Sequence, residues 1–233
     1  MVYRRSDPKK IELIAKRIRD GSNELDILKY LRTIRPQSKH VISLIDAIPS
    51  IATEWLILPQ LHSINQELMN RGGNSGRVRD RLGWGLIKGL AYLHEHKVAH
   101  RDIKPDNLVC DGDFCLQIID FDIAIKVQDE NTMIDGYRGT EGWTAPEMGK
   151  EDGPTQTYSP IKADRWSCGR VLQYHIMVGE EDRRLSRFAE QLVAKNPLQR
   201  PSLLEWPRQG VREVDGEGMK PPAAKRSKIV VDD

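Results

Sequence analysis

The sequence predicts an α+β fold, with a small β-rich part at the start of the chain and a larger, mainly helical part after it. Up to about residue 60, short apolar segments alternate with Pro or polar residues and have the length of strands. From Ser63 onward, apolar residues recur at helical spacing. Two strand-like runs flank an Asp-Gly turn within residues 107–120, which is a strong hairpin signal inside the helical part.

The composition is that of an ordinary globular domain. The 233 residues are 39% apolar, and 36 Lys plus Arg against 34 Asp plus Glu leave a net charge of +2. This balance excludes a disordered polyelectrolyte and a protein that coats nucleic acids. No run of roughly 18 apolar residues is present, which excludes a membrane-spanning helix. Three cysteines and a charged amino terminus without a secretory signal indicate a reducing compartment.

The first part contains three predicted strands and one helix. Alternation predicts a strand over Ile11–Ile18, and two further strands are predicted within residues 40–48 and 54–58. A helix is predicted over residues 22–34, after the Asp20-Gly21-Ser22 turn. Glu24 shares one face of this helix with two leucines, so its carboxylate needs a buried partner.

The second part is predicted to be mainly helical. Ser63 with Gln66 forms a capping box before a short helix. The next helix, over residues 77–94, carries four leucines on one face: Leu82, Leu86, Leu90 and Leu93. Further helices are predicted over 163–178 and 183–192. We therefore expect one domain over residues 1–207, with a small lobe to about residue 60 and a larger lobe from about 61.

A flexible basic tail is predicted over residues 208–233. This segment is poor in apolar residues and contains a Pro-Pro pair and a basic cluster: Lys220, Lys225, Arg226 and Lys228. Its KRSK run is similar to a nuclear import signal, although such patches also occur in tails that are only solvated. We therefore expect a cytoplasmic protein, with the nucleus as the alternative location.

The residues that carry chemistry flank the predicted hairpin. HRDIKPDN, residues 100–107, stands directly before it, and DFD, residues 120–122, stands directly after it. Because a hairpin brings its two ends together, Asn107 and Asp120 can face one another and share a divalent cation. Asp102 can then reach a hydroxyl group that lies next to that cation.

These motifs resemble those of the eukaryotic protein kinases of the serine/threonine type. HRDIKPDN matches the kinase catalytic loop fully, and DFD matches the DFG metal loop in two of three residues. GTEGWTAPE (139–147) resembles the end of an activation segment, and DRWSCG (164–169) resembles the start of the central buried helix. The resemblance covers roughly residues 11–207 and implies a two-lobed kinase-like fold with a reduced small lobe. It also implies that Arg200 pairs with Glu147.

The resemblance implies transfer of the γ-phosphate of Mg²⁺-ATP to Ser or Thr hydroxyls of a protein substrate. Asp102 would orient the substrate hydroxyl, and Lys104 would meet the γ-phosphate. Asn107 and Asp120 would bind Mg²⁺ through oxygen atoms. Thr140 would brace Asp102 and Lys104. Structural roles are implied for His100, Arg101, Asp164 and Arg200.

The resemblance also implies a nucleotide site that includes the small lobe. Lys16 would bind the α and β phosphates and Glu24 would hold it, with Lys9 or Lys10 as weaker candidates for the lysine. Leu58 would guard the back pocket, and Pro59 needs no N–H because adenine takes its donor from Leu61. Val109 would be the apolar floor under adenine.

The sequence departs from the kinase pattern in the small lobe and in the metal loop. No Gly precedes Lys16, where kinases carry a glycine-rich loop over the phosphates. An incomplete chain, an inefficient kinase and a fold kept for binding all fit this absence. Asp122 replaces the glycine of the metal loop, which removes positive-φ freedom, adds charge near the cation site and is expected to alter the mobility of this loop.

A regulatory hypothesis concerns the charge on Arg101. In kinases with this arginine, a phosphate on the activation segment usually neutralises it. Gly136 stands where that phosphorylated residue often sits, so Asp135 is the candidate for a resident negative charge, with Thr132 and Tyr137 as alternatives.

The expected partners are ATP and a protein substrate, without specific nucleic acid binding or a membrane. The rival hypothesis is a pseudokinase-type scaffold, or an incomplete kinase fragment, without turnover. The sequence does not predict the substrate or the oligomeric state.

Overall fold

The small lobe is an antiparallel sheet beside a helix. The computed structural model of the protein describes residues 2–3, 12–49, 54–70, 76–176 and 183–206. Four strands within these ranges pair in the order β1-β2-β4-β3: β1 (Val2–Tyr3), β2 (Glu12–Arg17), β3 (Asp46–Pro49) and β4 (Glu54–Pro59). Helix α1 spans Glu24–Thr33 and buries Glu24, Leu28 and Leu31 on one face, as predicted.

One predicted strand of the small lobe is wrong over its first six residues, 40–45. Of residues 40–48, only Asp46–Ile48 belong to a strand of the sheet. Val41 makes a single bridge to Ile118 of the larger lobe, and the N–H of Ile42 donates to the Ile118 carbonyl at 3.0 Å. Val41 and Ile42 are buried in the core that joins the two lobes, and this burial outweighs their strand propensity.

The larger lobe is mainly helical, as predicted. Its helices include α2 (Ile64–Asn70), α3 (Gly76–Glu95), α4 (Pro160–Val171) and α5 (Arg183–Leu192). Helix α4 begins earlier than predicted because the Ser159 hydroxyl caps it by accepting the Lys162 N–H at 3.3 Å. It continues into a π-helical turn, Leu172–Ile176. The four leucines predicted for one face of α3 are all fully buried.

Within the described residues, seven short strands lie in the larger lobe. They are β5 (His62–Ser63), β6 (Val98–Ala99), β7 (Leu108–Cys110), β8 (Leu116–Ile118), β9 (Ile125–Lys126), β10 (Ile134–Asp135) and β11 (Thr157–Tyr158). The predicted hairpin is β7–β8. Its turn is longer than an Asp-Gly pair, because Phe114 donates its N–H to the Asp111 carbonyl at 3.0 Å and takes the left-handed φ of +58°.

A large buried apolar cluster joins α1, β4, the β7–β8 hairpin and the helices of the larger lobe. This cluster fixes the ends of the hairpin against α1, which positions the site described below. The predicted tail at 208–233, its basic cluster, Lys9 and Lys10 lie outside the described residues. Within the described part of the chain, no helix is long and apolar enough to cross a membrane.

Candidate active site

Asp164 anchors the loop of residues 100–107 to helix α4. Asp164 is 1% exposed, and its carboxylate oxygens accept the N–H groups of His100 and Arg101 at 2.7 Å each. His100 is also buried, and its Nε2 lies 2.9 Å from the Ile119 carbonyl. Arg101 has a left-handed φ of +71°, which these hydrogen bonds hold in place. The loop is therefore fixed by buried contacts within the protein itself.

Asp102 is the centre of a hydrogen-bond network at the front of this loop. Its Oδ1 accepts from the Thr140 hydroxyl at 2.8 Å, and its Oδ2 accepts from Lys104 Nζ at 2.8 Å and from Asn107 Nδ2 at 3.1 Å. Lys104 Nζ also donates to Thr140 Oγ1 at 2.7 Å. The structure thus brings these four predicted residues together, and the Asp102 side chain keeps 14% of its surface exposed.

Lys16 forms a second network where the two lobes meet. Its Nζ lies 2.6 Å from Glu24 Oε2 and 2.6 Å from Asp120 Oδ1. The Glu24 side chain is 1% exposed, and its Oε1 accepts the Phe121 N–H at 3.2 Å. The buried carboxylate on α1 therefore has the cationic partner that its position requires. Strand β2, helix α1 and the metal loop all contribute to this network.

Burial by itself favours the neutral forms of Lys16, Asp120 and Glu24. At Lys16, hydrogen bonds and charges from Asp120 and Glu24 outweigh burial, so the pKa of Lys16 is raised above its ordinary value. Burial also acts on Asp120, but the hydrogen bond and charge of Lys16 outweigh it and hold the pKa of Asp120 below its ordinary value. At Glu24 burial dominates, and the pKa is raised. Lys16 and Asp120 therefore form an ion pair at neutral pH.

Asn107 and Asp120 lie at the two ends of the β7–β8 hairpin. Asn107 Nδ2 donates to the Asp102 carbonyl at 2.8 Å and to Asp102 Oδ2, which leaves the Asn107 amide oxygen as its ligand atom. The Ile119 N–H donates to the Asn107 carbonyl at 3.0 Å, so the two ends of the hairpin are directly joined. An amide oxygen and an ionised carboxylate are ligands that hard divalent cations prefer, so these residues fit such a cation.

Asp122, the third residue of DFD, contacts the small lobe. The Ser22 hydroxyl donates to its Oδ1 at 2.8 Å, and Arg19 Nη1 lies 3.1 Å from its Oδ2. In this motif the positive φ belongs to Asp120, at +67°, and not to Asp122. The backbone therefore does not use positive-φ freedom at Asp122 in this conformation, and the expected change in the mobility of the loop stays a prediction. Sequence reasoning missed Ser22 and Arg19, and no local signal links them to Asp122.

The predicted adenine-side residues come from three places. Leu58 on β4 and Val109 on β7 are buried, and Leu61 lies half-buried between β4 and β5. Ile14, which the sequence reasoning missed, pairs with Leu58 across β2 and β4. It stands two residues before Lys16 and so lies on the same face of the strand. Counting back by two from Lys16 would have found this 40% exposed apolar side chain.

The structure does not bring Asp135 to Arg101. Arg101 donates to the Ile123 carbonyl at 3.2 Å and to the Tyr158 hydroxyl at 3.5 Å. Asp135 is exposed on β10, where its carboxylate accepts a hydrogen bond from the Thr157 hydroxyl. Pairing of β10 with β11 places Asp135 opposite Thr157, and this register decides the partner of the carboxylate. The proposed neutralisation of Arg101 by Asp135 is therefore contradicted by the geometry.

The two alternative residues of the activation segment are also engaged in local contacts. Thr132 Oγ1 accepts the N–H groups of Gln128 and Asp129 at 3.1 Å each. The Tyr137 hydroxyl lies 3.3 Å from Thr144 Oγ1. Both hydroxyl groups therefore help to hold the unmodified segment.

The end of the activation segment is held by the predicted pair of Glu147 and Arg200. Arg200 Nη1 and Nη2 donate to the two carboxylate oxygens of Glu147 at 2.5 and 2.7 Å. Arg200 also donates to the carbonyls of Lys162 and Ala194, at 2.9 Å each. Its side chain is fully buried, so this forked ion pair ties the segment to the start of α4.

A cleft of about 510 Å³ opens between the lobes. Asp102, Lys104 and Asp120 line it from the larger lobe, and Arg19 and Ser22 line it from the small lobe. Asp120 is thus the member of the Lys16 network that lines this cleft. Lys16 itself and the predicted adenine-side residues are not part of its lining: Leu58, Leu61 and Val109.

The family described as Protein kinase domain matches residues 6–184, which is more than half of the chain. The chain belongs to this family. This membership confirms the resemblance seen in the motifs and the two-lobed α+β fold expected from them. Members of the protein kinase family use ATP with a divalent metal ion and act on protein substrates.

Three curated relatives illustrate the similarity. Serine/threonine-protein kinase chk1 of Schizosaccharomyces pombe is 32% identical over 125 residues, covering 52% of this chain and 24% of the relative. Carbon catabolite-derepressing protein kinase of Candida glabrata is 30% identical over 164 residues, or 69% of this chain and 25% of the relative. CBL-interacting serine/threonine-protein kinase 8 of Arabidopsis thaliana is 31% identical over 160 residues, which cover 67% of this chain and 33% of the relative. The chain thus spans a third or less of the length of these relatives.

Proposed function

We propose that the protein is a serine/threonine kinase that transfers the γ-phosphate of Mg²⁺-ATP to hydroxyl groups of a protein substrate. One observation carries this proposal: the network around Asp102 and the network around Lys16 are both assembled, and Asp102, Lys104 and Asp120 of these networks line one cleft. Phosphoryl transfer depends mainly on positioning and charge neutralisation, and these networks supply both. A kinase domain over residues 1–207, with lobes that divide near residue 60, is part of the proposal.

The Asp102 network handles the hydroxyl side of the reaction. Asp102 accepts the hydrogen bond of the substrate hydroxyl and orients its oxygen toward the γ-phosphate. Lys104 places its ammonium group next to Asp102, where it can neutralise charge that develops on the transferred group. Thr140 contacts both side chains and keeps them in one geometry.

The Lys16 network handles the nucleotide side. Lys16 would bind the α and β phosphates, and Glu24 holds its ammonium group at 2.6 Å. Asn107 and Asp120 would hold Mg²⁺, which when bound neutralises phosphate charge. Ile14 and Val109 would supply apolar contacts to adenine, and Leu61 would offer its backbone N–H.

The deciding experiment is phosphate transfer by the wild-type protein compared with Asp102→Asn. Radiolabelled ATP, Mg²⁺ and a general protein substrate are the reagents, and a thermal shift with ATP is measured in parallel. We expect transfer to fall by about a thousandfold or more in the variant, because orientation of the hydroxyl is lost, while nucleotide binding persists. The asparagine keeps the size of the side chain and an oxygen that accepts hydrogen bonds.

Asp120→Ala tests whether ATP binding depends on the cation that Asp120 would hold. A stabilisation by ATP that requires Mg²⁺ and disappears in this variant supports the metal role of Asp120. Binding of ATP by the wild type without any transfer would contradict the kinase proposal and favour a scaffold.

A further inference from the structure

We infer that Asp122 is a positioning residue that fastens the metal loop to the turn before helix α1 and thereby holds Glu24 and Lys16 beside Asp120. This inference rests on the proposed function, because the positioned groups are those of the nucleotide site. The clasp, as we name it, consists of Asp122 together with Arg19, Ser22 and Asn23.

Three contacts form the clasp. The Ser22 hydroxyl donates to Asp122 Oδ1 at 2.8 Å, Arg19 Nη1 lies 3.1 Å from Asp122 Oδ2, and the Asn23 N–H donates to the Asp122 carbonyl at 2.9 Å. A fourth contact lies alongside, since Asn23 Nδ2 donates to the Ala124 carbonyl at 3.0 Å. The Asp122 side chain is only 14% exposed. The metal loop is thus bonded to the turn through both side-chain and backbone groups.

Ser22 connects the clasp to the start of helix α1. Its Oγ donates to Asp122 and accepts the Glu24 N–H at 3.1 Å. That N–H belongs to the first residue of α1, where no carbonyl within the helix can accept it. The hydroxyl therefore links the end of α1 that carries Glu24 directly to the metal loop.

The contacts differ in strength. Arg19 is 78% exposed, so its ion pair with Asp122 is screened by solvent and contributes little. The Ser22 hydrogen bond is partly buried and ends on a charged acceptor, which makes it the stronger contact. Removal of the carboxylate should therefore act mainly through Ser22 and helix α1.

The geometry also shows why a carboxylate is tolerated next to two others. Carboxylate oxygens of Glu24, Asp120 and Asp122 lie within 4.8 Å of one another, and Lys16 Nζ lies 3.9 Å from Asp122 Oδ1. The cations Lys16 and Arg19 offset part of this repulsion. A glycine at position 122 would relieve the repulsion but would leave Ser22 without its acceptor.

The test compares Asp122→Gly, Asp122→Asn and Ser22→Ala with the wild type, with Asp26→Asn as the matched control. Asp26 is exposed in the first turn of α1, so its variant removes one negative charge from the same region without touching the clasp. Amide hydrogen exchange is measured on the ligand-free protein for Glu24, Ile27 and Leu28. The KM for ATP and the melting temperature are measured on the same samples.

We expect exchange at these amides to accelerate roughly tenfold in Asp122→Gly and Ser22→Ala, and KM for ATP to rise by a similar factor. Asp122→Asn should stay within about threefold of the wild type, because its amide oxygen still accepts from Ser22. The control and the overall melting temperature should change little. Unchanged exchange in both clasp variants, or an equal loss in Asp122→Asn and Asp122→Gly, would overturn the inference. Amide hydrogen exchange does not depend on turnover. A wild-type protein without kinase activity would therefore contradict the proposed function, and the exchange rates would still test the clasp.

Discussion

At the scale of single residues, the Thr140 hydroxyl is hydrogen-bonded to two oppositely charged side chains. Its Oγ1 donates to Asp102 Oδ1 at 2.8 Å and accepts from Lys104 Nζ at 2.7 Å. Lys104 also donates to Asp102, so the three side chains close a triangle. The hydroxyl fixes the position of the carboxylate relative to the ammonium group, and both side chains line the cleft.

Thr140→Ala should lower kcat by roughly ten- to a hundredfold, because Asp102 and Lys104 lose their common partner and are then oriented only by their direct hydrogen bond and by Asn107. The KM for ATP should stay within about twofold, since the Lys16 network is untouched. Steady-state kinetics with Thr140→Ser as the matched control measures the effect. The serine retains the hydroxyl and should keep most of the activity. Equal loss in both variants would show that the methyl group, and not the hydroxyl, is responsible.

At the scale of elements, the first part of the activation segment is fastened to helix α4 without a phosphate. Ser159 Oγ donates to the Glu130 carbonyl at 2.7 Å, and Lys162 Nζ donates to Asn131 Oδ1 at 2.9 Å. Arg165, buried on the same helix, forms an ion pair with the Glu130 carboxylate. These contacts come from the first two turns of α4, so the helix and the segment are ordered together.

The Thr132 side chain stabilises the turn at the start of this segment, so its removal should destabilise the protein. Thr132→Ala should lower the free energy of unfolding by about 1 kcal/mol, because the N–H groups of Gln128 and Asp129 lose their acceptor. Urea unfolding measures the change, and Thr132→Ser should restore most of the stability. A Thr132→Ala variant that is more stable than the wild type would contradict this role. Stoichiometric phosphate on Thr132 of the active wild-type protein would contradict it as well.

At the scale of the whole molecule, buried histidines couple stability to pH. His94 on α3 lies 3.2 Å from Asp164 Oδ2. Burial lowers the pKa of His94, and the charge of Arg165 lowers it further. Asp164 and Glu130 raise this pKa but do not outweigh burial. Burial also lowers the pKa of His40, where a hydrogen bond to the Leu116 carbonyl opposes it and three cations add to it: Lys39, Lys88 and Arg81. Both rings are therefore neutral in the folded protein at neutral pH.

The melting temperature should fall as the pH is lowered from about 7.5 to 5.5. The unfolded chain binds protons at the ordinary histidine pKa near 6.5, whereas the folded protein binds them only at lower pH. This contribution to stability is therefore present above about pH 6.5 and is lost below it. Differential scanning calorimetry of the wild type and of His40→Gln measures the slope, which should be smaller in the variant. His62 is exposed, so His62→Gln is the control. An equal slope of melting temperature against pH in all three proteins would contradict the role given to His40.

Local structure and the identity of most site residues could be predicted from the amino-acid sequence. The leucine spacing of α3, the β7–β8 hairpin and the HRDIKPDN loop all depend on residues that are close in the chain. The carboxylate of Glu24 on an apolar helix face indicated a buried partner for the same reason, and Lys16 is that partner. Short-range periodicity fixes which side chains share a face, so these features are readable without the fold.

Several contacts between distant segments, unlike the expected pair of Glu147 and Arg200, could be found only in the folded chain. Asp122 meets Ser22 across 100 residues, Asp135 lies opposite Thr157 and not next to Arg101, and Val41 joins the core between the lobes and not the sheet. These outcomes depend on strand register and on how the two lobes pack, to which no local pattern corresponds. Burial strengthens the partly buried Ser22–Asp122 hydrogen bond and the packing of Val41, and burial is a property of the assembled fold.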